Sequence, residues 1–250
     1  MRTIPEARNS DRNKKLRREF VQEILRRGID YMNDCVFIDE TGFRKKHVQR
    51  RGYSLRGQPC IVESSNDPGI NISIIGCVSS QGPILLSKHA QKSDVLDHHE
   101  QIGKKRSRKA MSHGTTSTHY HDFIKDLLVV MKRLNLANKV LILDNCSIHK
   151  GGDTAKLIEN AGHKLLFLSP YSPFLNPIEK LWKQLKDRTK RYPSRTDDEL
   201  VEKIKVAASR VKKAHCEGYI RNALTFFDPS LNLEDIYHDQ QFRITGQNKQ

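Results

Sequence analysis

The run "KVLILDN", residues 139–145, decides the fold. Val140 to Leu143 are four consecutive apolar residues, too few for an ordinary helix and too uniform for a strand with one wet face. A strand covered on both sides fits, and it stops at an acid, Asp144. The run "CVFIDE", residues 35–40, repeats the pattern, with Val36, Phe37 and Ile38 apolar and Asp39 closing the run. "HKLLFLSP", residues 163–170, reads as a further strand. Buried strands of this kind occur in sheets with helices on both faces, and right-handed crossovers set "VLILD" parallel to its neighbours.

Outward from these runs the pattern is consistent. Residues 9–27, "NSDRNKKLRREFVQEILRR", read as a helix whose apolar stripe is Leu16, Phe20, Val21, Ile24 and Leu25. Residues 43–58 are basic and punctuated by glycine. "PCIVES", "INISIIGCVSS" and "GPILLS" are β-prone runs of a meander, the first two separated by the turn signal "SNDPG". Residues 88–118 are long, polar and basic, and read as an insertion or loop. "HYHDFIKDLLVVMKRLNL" is a helix, and "GGDTAKLIENAG" is a short one closed by Gly162. "LSPYSPFLNPIEKLWKQLK", residues 168–186, is a turn and then a helix, for which Asn176 is the expected cap, Pro177 the first residue and Glu179 the capping-box acid. A second capping box, Thr196 to Glu199, opens a C-terminal helix. The order β-β-β-α-β-α-β-α implies an α/β fold, a mixed five-stranded sheet flanked by helices. The expected organisation is a basic helix over 1–30, an α/β domain over 31–192 carrying the insertion at 88–118, C-terminal helices over 193–239 and a flexible tail over 240–250.

At 250 residues the chain can bury a substantial core. Its formal net charge of +15 points to a polyanionic partner, nucleic acid first. Five cysteines, Cys35, Cys60, Cys77, Cys146 and Cys216, form no C-x-x-C pair, which suits reduced, mostly buried thiols of an intracellular protein. No apolar run has the length of a membrane span, and the N-terminus has no signal-type apolar segment.

The acids carry the chemistry. Asp39 and Asp144 end apolar strands, and ligand sites of open α/β sheets form beyond the carboxyl ends of strands. On neighbouring strands the two would lie roughly 5 Å apart in backbone terms. Glu179 opens a helix just after the next strand, at the same edge. Convergent carboxylates repel one another unless a cation joins them, and an all-oxygen set suits Mg²⁺ or Mn²⁺. Two such ions about 3.5–4 Å apart activate a water or a 3′-hydroxyl and stabilise the leaving oxygen of a phosphodiester.

"FIDETGF", "LILDNCSIH" and "SPYSPFLNPIEKLWKQLK" together resemble the three catalytic blocks of the mariner superfamily of DDE transposases. Thirty-four residues, 145 to 178, separate Asp144 from Glu179, which is similar to the Asp-Asp-Glu branch. The resemblance covers roughly residues 14 to 190 and rests on three blocks in order, each weak alone. It implies a ribonuclease H-like fold and a two-metal cut-and-paste reaction. Water cuts DNA at the element's ends, and the freed 3′-hydroxyl attacks target DNA. It also implies that Asp39, Asp144 and Glu179 are catalytic metal ligands for two Mg²⁺ or Mn²⁺ ions. The implied partners are transposon ends and target DNA, with a homodimer to join two ends.

Other residues are read beside this triad. Glu40 points to the opposite face of its strand from Asp39 and is a supporting or surface residue. Asn145 and Asn176 flank the acids. His149 either orients substrate or supports a metal ligand, or it is a turn histidine with local hydrogen bonds. Trp182 shares a stripe with Ile178, Leu181 and Leu185 and reads as core packing. Lys180, Lys183, Lys186 and Arg188 project from the other faces of that helix, either to phosphates or simply to solvent. Arg44, Lys45, Lys46, Arg50, Arg51 and Arg56, and the patch Lys104, Lys105 and Arg106 of "KKRSRK", are the remaining DNA-contact candidates. That patch also reads as a nuclear-import signal or a disordered loop, so the nucleus is expected in a eukaryotic host. His98, His99, His113, His119 and His121 lack clean zinc-ligand spacing.

Relatives of this type carry two helix-turn-helix modules before the catalytic domain, and about thirty residues are too few for them. The expectation is therefore a catalytic domain without its specific DNA reader. Phe174 stands where a polar residue is common. Two rival readings follow: a catalytically silent, transposase-derived DNA-binding protein, and another ribonuclease H-like nuclease such as a hybrid cutter.

Overall fold

A computed structural model describes residues 4–44, 54–59, 61, 71–88, 117–144, 152–190, 194 and 196–237. The sheet has five strands: β1 (Cys35–Arg44), β2 (Asn71–Ser79), β3 (Gly82–Lys88), β4 (Val140–Leu143) and β5 (Lys164–Phe167). Their spatial order is β3-β2-β1-β4-β5. The meander β1-β2-β3 is antiparallel, while β1-β4 and β4-β5 are parallel, as crossover connections through helices require. Five strands in an α/β arrangement flanked by helices were expected. Of "PCIVES", Pro59 and Ile61 carry no strand and the remainder lies outside the described residues.

Among the described residues seven α-helices cover the sheet. They are α1 (Asp11–Arg26), α2 (Ser117–Arg133), α3 (Gly152–Asn160), α4 (Ile178–Thr189), α5 (Asp197–Ser209), α6 (Lys213–Leu224) and α7 (Phe227–Leu231). The buried strands feed two cores by the alternation of the pleat. Cys35, Phe37, Phe43, Val140 and Ile142 face α1 and α4–α7. Val36, Ile38, Leu141 and Leu143 face α2 and α3. Consecutive apolar residues are therefore needed, because both faces of β1 and β4 are dry. Among the described residues Cys35, Cys77 and Cys216 are free and buried, and burial pushes the Cys216 thiol up to about 11.

The terminal helices belong to the same core. Phe20, Val21 and Ile24 of α1 are buried, worth about 1.5–3 kcal/mol each, and pack with Tyr31, Phe174 and Phe226. Leu25, expected on this stripe, is 57% exposed, and Arg17 is fully buried in its stead. The helical period turns the face toward Asn13, Arg17 and Ile24, and the guanidinium of Arg17 lies 5.4 Å from the Phe174 ring centre. Its Nη2 donates to the carbonyl of Glu234 at 3.2 Å, so the chain's last described residues lie against its first helix. Gly162 closes α3 at φ 79°, and the His163 N–H donates to the Ile158 carbonyl at 3.1 Å, a Schellman arrangement. At α5 the Thr196 side chain accepts from the Glu199 N–H at 3.2 Å.

One strand departs from expectation in a way that matters for the site. β1 does not end at its acid; it runs on to Arg44, and Asp39 sits in its middle. The parallel pairing with β4 reaches Phe37 opposite Ile142. The antiparallel pairing with β2 continues to Arg44 opposite Asn71 and supplies the hydrogen bonds beyond that point. Asp39 thus lies where one neighbour stops and the other goes on.

Candidate active site

The register fixes two of the three acids. Phe37 pairs with Ile142, so Asp39 and Asp144, each two residues further on, are level with one another. By the pleat both follow Phe37 and Ile142 toward the face that carries α4. Both are half-buried. The third acid comes from the connection after β5. Leu168 ties that connection to the sheet, its N–H donating to the Leu143 carbonyl at 2.7 Å. Ser169 Oγ donates to Ser172 Oγ at 2.9 Å, and Ser172 Oγ to the Pro170 carbonyl at 3.1 Å. Tyr31 anchors the far side, its hydroxyl donating to the Leu175 carbonyl at 2.6 Å. α4 then starts with Glu179 in its first turn.

Asp39, Asp144, Asn176 and Glu179 line one open pocket of about 430 Å³, whose remaining wall is the connection Leu168–Pro173. Tyr171 stands at this wall, half exposed and in the left-handed region at φ 55°. The Asp39 carboxyl is pushed up to about 7. Burial is the main cause, followed by the negative charge of Glu179 and then that of Asp144. A hydrogen bond with the backbone at Glu40 and one from Trp182 pull the other way. A partly desolvated acid that also feels two acidic neighbours is one that a cation would stabilise in its charged form. The donor set fits a hard divalent ion, being all oxygen with an amide oxygen, Asn176 Oδ1, buried and unpartnered beside it. As the side chains are placed, no three acids, histidines or cysteines among the described residues stand close enough to share one ion. Glu179 is exposed in the first turn of α4, at the rim of the pocket.

The expected cap at Asn176 is not made by its side chain. Pro177 already holds helical angles, φ −56° and ψ −30°, and the Asn176 backbone carbonyl takes the Glu179 N–H at 3.2 Å. The amide is thereby left to line the pocket. Glu40 follows Ile38 in the pleat, away from Asp39. Arg44 is exposed at the end of β1, about 16 Å along the strand from Asp39 and on the other face. Lys180 is half-buried, and Lys183 is exposed and lies 3.6 Å from Asp187. Lys186 was expected to project outward. It turns inward instead, its Nζ hydrogen-bonded to Thr41 Oγ1 and lying 5.7 Å from the Phe43 ring centre. Burial lowers its pKa, while the charges of Glu179 and Asp39 raise it. Asn145, His149, Lys45, Lys46, Arg50, Arg51, Lys104, Lys105 and Arg106 lie outside the described residues, as do His98, His99 and His113. His121 is within α2, its Nδ1 3.1 Å from Thr154 Oγ1 of α3.

Sequence reasoning missed one polar contact. Trp182 is core, as read, but its Nε1–H donates to Asp39 Oδ2 at 3.1 Å. The signal was available: a buried indole needs an acceptor, and Trp182 lies three residues from Glu179 on one helix face.

The family described as DDE superfamily endonuclease matches residues 34–201. No curated protein matches the sequence significantly. Among solved structures, a pre-cleavage Mos1 transpososome aligns with a TM-score of 0.75 at 12% identity, over 95% of this chain and 67% of that one. A Mos1 mariner paired-end complex with Mn aligns at 0.73 and 13%, over 93% and 65%. The Mos1 catalytic domain alone aligns at 0.65 and 10%, over 94% and 98%. The fold is thus that of the Mos1 catalytic domain, and the chain spans about two thirds of the longer Mos1 chains.

Proposed function

The chain belongs to the DDE superfamily endonucleases, and from that premise we propose that it cuts DNA strands and transfers their 3′ ends to new phosphates. The observation that carries this reading is the pocket in which Asp39, Asp144 and Glu179, from three separate segments, come together. These residues would hold Mg²⁺ or Mn²⁺, two ions in the full site, and Mos1 has been crystallised with each metal. When bound, the metal supplies a nucleophile at neutral pH and Lewis-acid stabilisation of the leaving oxygen.

The chain's own residues do the remainder. Asp39 must give up its proton to become a ligand. Lys180 and Lys183 on α4, with the net positive charge of the chain, draw the phosphate backbone toward an otherwise repulsive acidic pocket. In cleavage, a water oxygen bonds to phosphorus and the P–O3′ bond breaks, leaving a 3′-hydroxyl and a 5′-phosphate. In transfer, that 3′-hydroxyl oxygen bonds to a target phosphorus and the target's P–O3′ bond breaks. One phosphodiester is made for each one lost, so no external energy source is needed. The partners in this reading are transposon ends and target DNA, a second copy of the chain supplies the second end, and the site of action in a eukaryote is the nucleus.

The test is nicking of supercoiled plasmid by the purified chain and by Asp144→Asn, with and without Mg²⁺ or Mn²⁺. Nicking that requires metal and disappears in the variant supports the reading, and strand transfer is then measured with pre-cut ends. Salt-dependent DNA binding in both proteins with nicking in neither would instead identify a silent DNA-binding protein. A preference for RNA–DNA hybrids without strand transfer would identify a different nuclease of this fold.

A further inference from the structure

Trp182 is the sole tryptophan of the chain, and it is 2% exposed. Its indole N–H donates to Asp39 Oδ2 at 3.1 Å. The space for the ring is provided from across the sheet. Gly76 is the β2 residue directly opposite Asp39. A Cβ at Gly76 would stand 2.6 Å from Trp182 Cη2 and 2.5 Å from Leu86 Cδ2. Phe43, further along β1 on the same face as Asp39, meets the indole edge-on, with centres 6.3 Å apart and planes at 83°. The ring is therefore gripped on two sides while its one polar atom is aimed at a carboxylate.

A carboxylate has about four acceptor positions on two oxygens. The rigid indole takes one of these positions on Oδ2, the backbone at Glu40 takes another, and the rest stay available to a further partner. We infer that Trp182 is the positioning residue of Asp39, seated by the gap at Gly76, and that it sets the orientation in which Asp39 meets a divalent cation. This rests on the metal-binding reading of Asp39, Asp144 and Glu179. Outer partners of metal-ligating groups hold them in the ligating geometry, and their loss costs about 10–100-fold in metal affinity. A tryptophan that only fills space has a different dependence: its ring matters and its N–H does not.

The experiment uses the full chain and Mg²⁺. Every photon of tryptophan emission comes from the residue bonded to Asp39, so a Mg²⁺ titration changes that emission with the midpoint found by calorimetry. Trp182→Phe keeps an aromatic ring and removes the N–H. With its circular dichroism spectrum retained, its Mg²⁺ dissociation constant by calorimetry rises about 10–100-fold. Its nicking rate at saturating Mg²⁺ falls by less than its affinity does. Calorimetric binding that is lost in Asp144→Asn but leaves the emission unchanged overturns the inference while leaving the function intact. So does a Trp182→Phe affinity within twofold of the unaltered chain. Absence of any Mg²⁺ binding overturns the metal reading, and the inference with it.

Discussion

Gly76→Ala adds one methyl group where the structure leaves none of the usual clearance. Carbon atoms rest comfortably about 3.5–4.0 Å apart, and the new methyl would lie 2.5 Å from Leu86 Cδ2 and 2.6 Å from Trp182 Cη2. Leu86 is partly buried and can rotate away. Trp182 cannot retreat without leaving Asp39 and pressing on Phe43. Overpacking of a tight core costs about 1–3 kcal/mol. Loss of a hydrogen bond to a carboxylate adds about 1.5 kcal/mol. A total of about 3 kcal/mol lowers the melting temperature of a chain this size by roughly 6–12 °C. The sign is informative, because glycine inside a strand ordinarily gives about 0.5–1 kcal/mol of stability when replaced by alanine. Thermal denaturation followed by circular dichroism measures the effect. The companion variant, Gly76→Ala with Trp182→Phe, removes the two indole atoms nearest the methyl. It should be more stable than the two single changes predict by about 1–2 kcal/mol. A drop under 2 °C for Gly76→Ala, or strict additivity in the double variant, would refute the close approach that seats the indole.

Asp39 makes the site pH-dependent. Its folded pKa, about 7, lies above the ordinary 3.8, so the folded chain holds an extra proton between those values. Without metal, the contribution of Asp39 to stability is fully present below that window and is lost as pH rises through about 7, so melting curves of the unaltered chain and of Asp39→Asn from pH 4 to 8 should differ in slope in that sense. For the same reason Mg²⁺ binding at pH 6 releases about one proton and at pH 8 almost none, measured by calorimetry in buffers of different ionisation enthalpy. Tyr31→Phe removes the 2.6 Å bond to Leu175 and leaves a buried carbonyl unpaired. It should cost about 1–3 kcal/mol in urea denaturation, with an unchanged denaturant slope. Thr196→Ala deletes the cap of α5 and should cost about 1 kcal/mol in the same assay, without altering Mg²⁺ affinity.

The acids and the strands that carry them were legible because their signals are local. A four-residue apolar run ending in Asp144 states burial on both faces and a terminus in one phrase. The midpoint position of Asp39 was not legible, since β1 extends past it only by pairing with β2, whose residues lie some thirty positions on. Leu25 and Arg17 exchanged their expected places because the rotation of α1 is set by Phe174 and the Glu234 carbonyl, both distant in sequence. Lys186 followed the stripe of Glu179 and Trp182 inward, since β1 offers Thr41 and Phe43 at the matching height. The Asn176 amide faces the pocket because Pro177 makes its capping role unnecessary, a local rule overridden by its neighbour.

The same packing that stabilises the domain also fixes the acids. Shifting β4 by one residue against β1 would carry Val140 and Ile142 out of the core they share with Phe37 and into the other. It would also turn Asp144 to the face opposite Asp39. Every apolar residue of β4 is buried, so such a slip would misplace four side chains at once, each worth about 1.5–3 kcal/mol. The level placement of Asp39 and Asp144 is therefore held by the hydrophobic register, not by any attraction between the acids, which repel. Glu179 has no such strand register; its position depends on the connection pinned by Tyr31 and on α4 lying against β1. That division assigns different roles to the two halves of the pocket. The sheet supplies two acids at fixed height, and the helix brings both the third acid and, one turn on, the indole that holds the first.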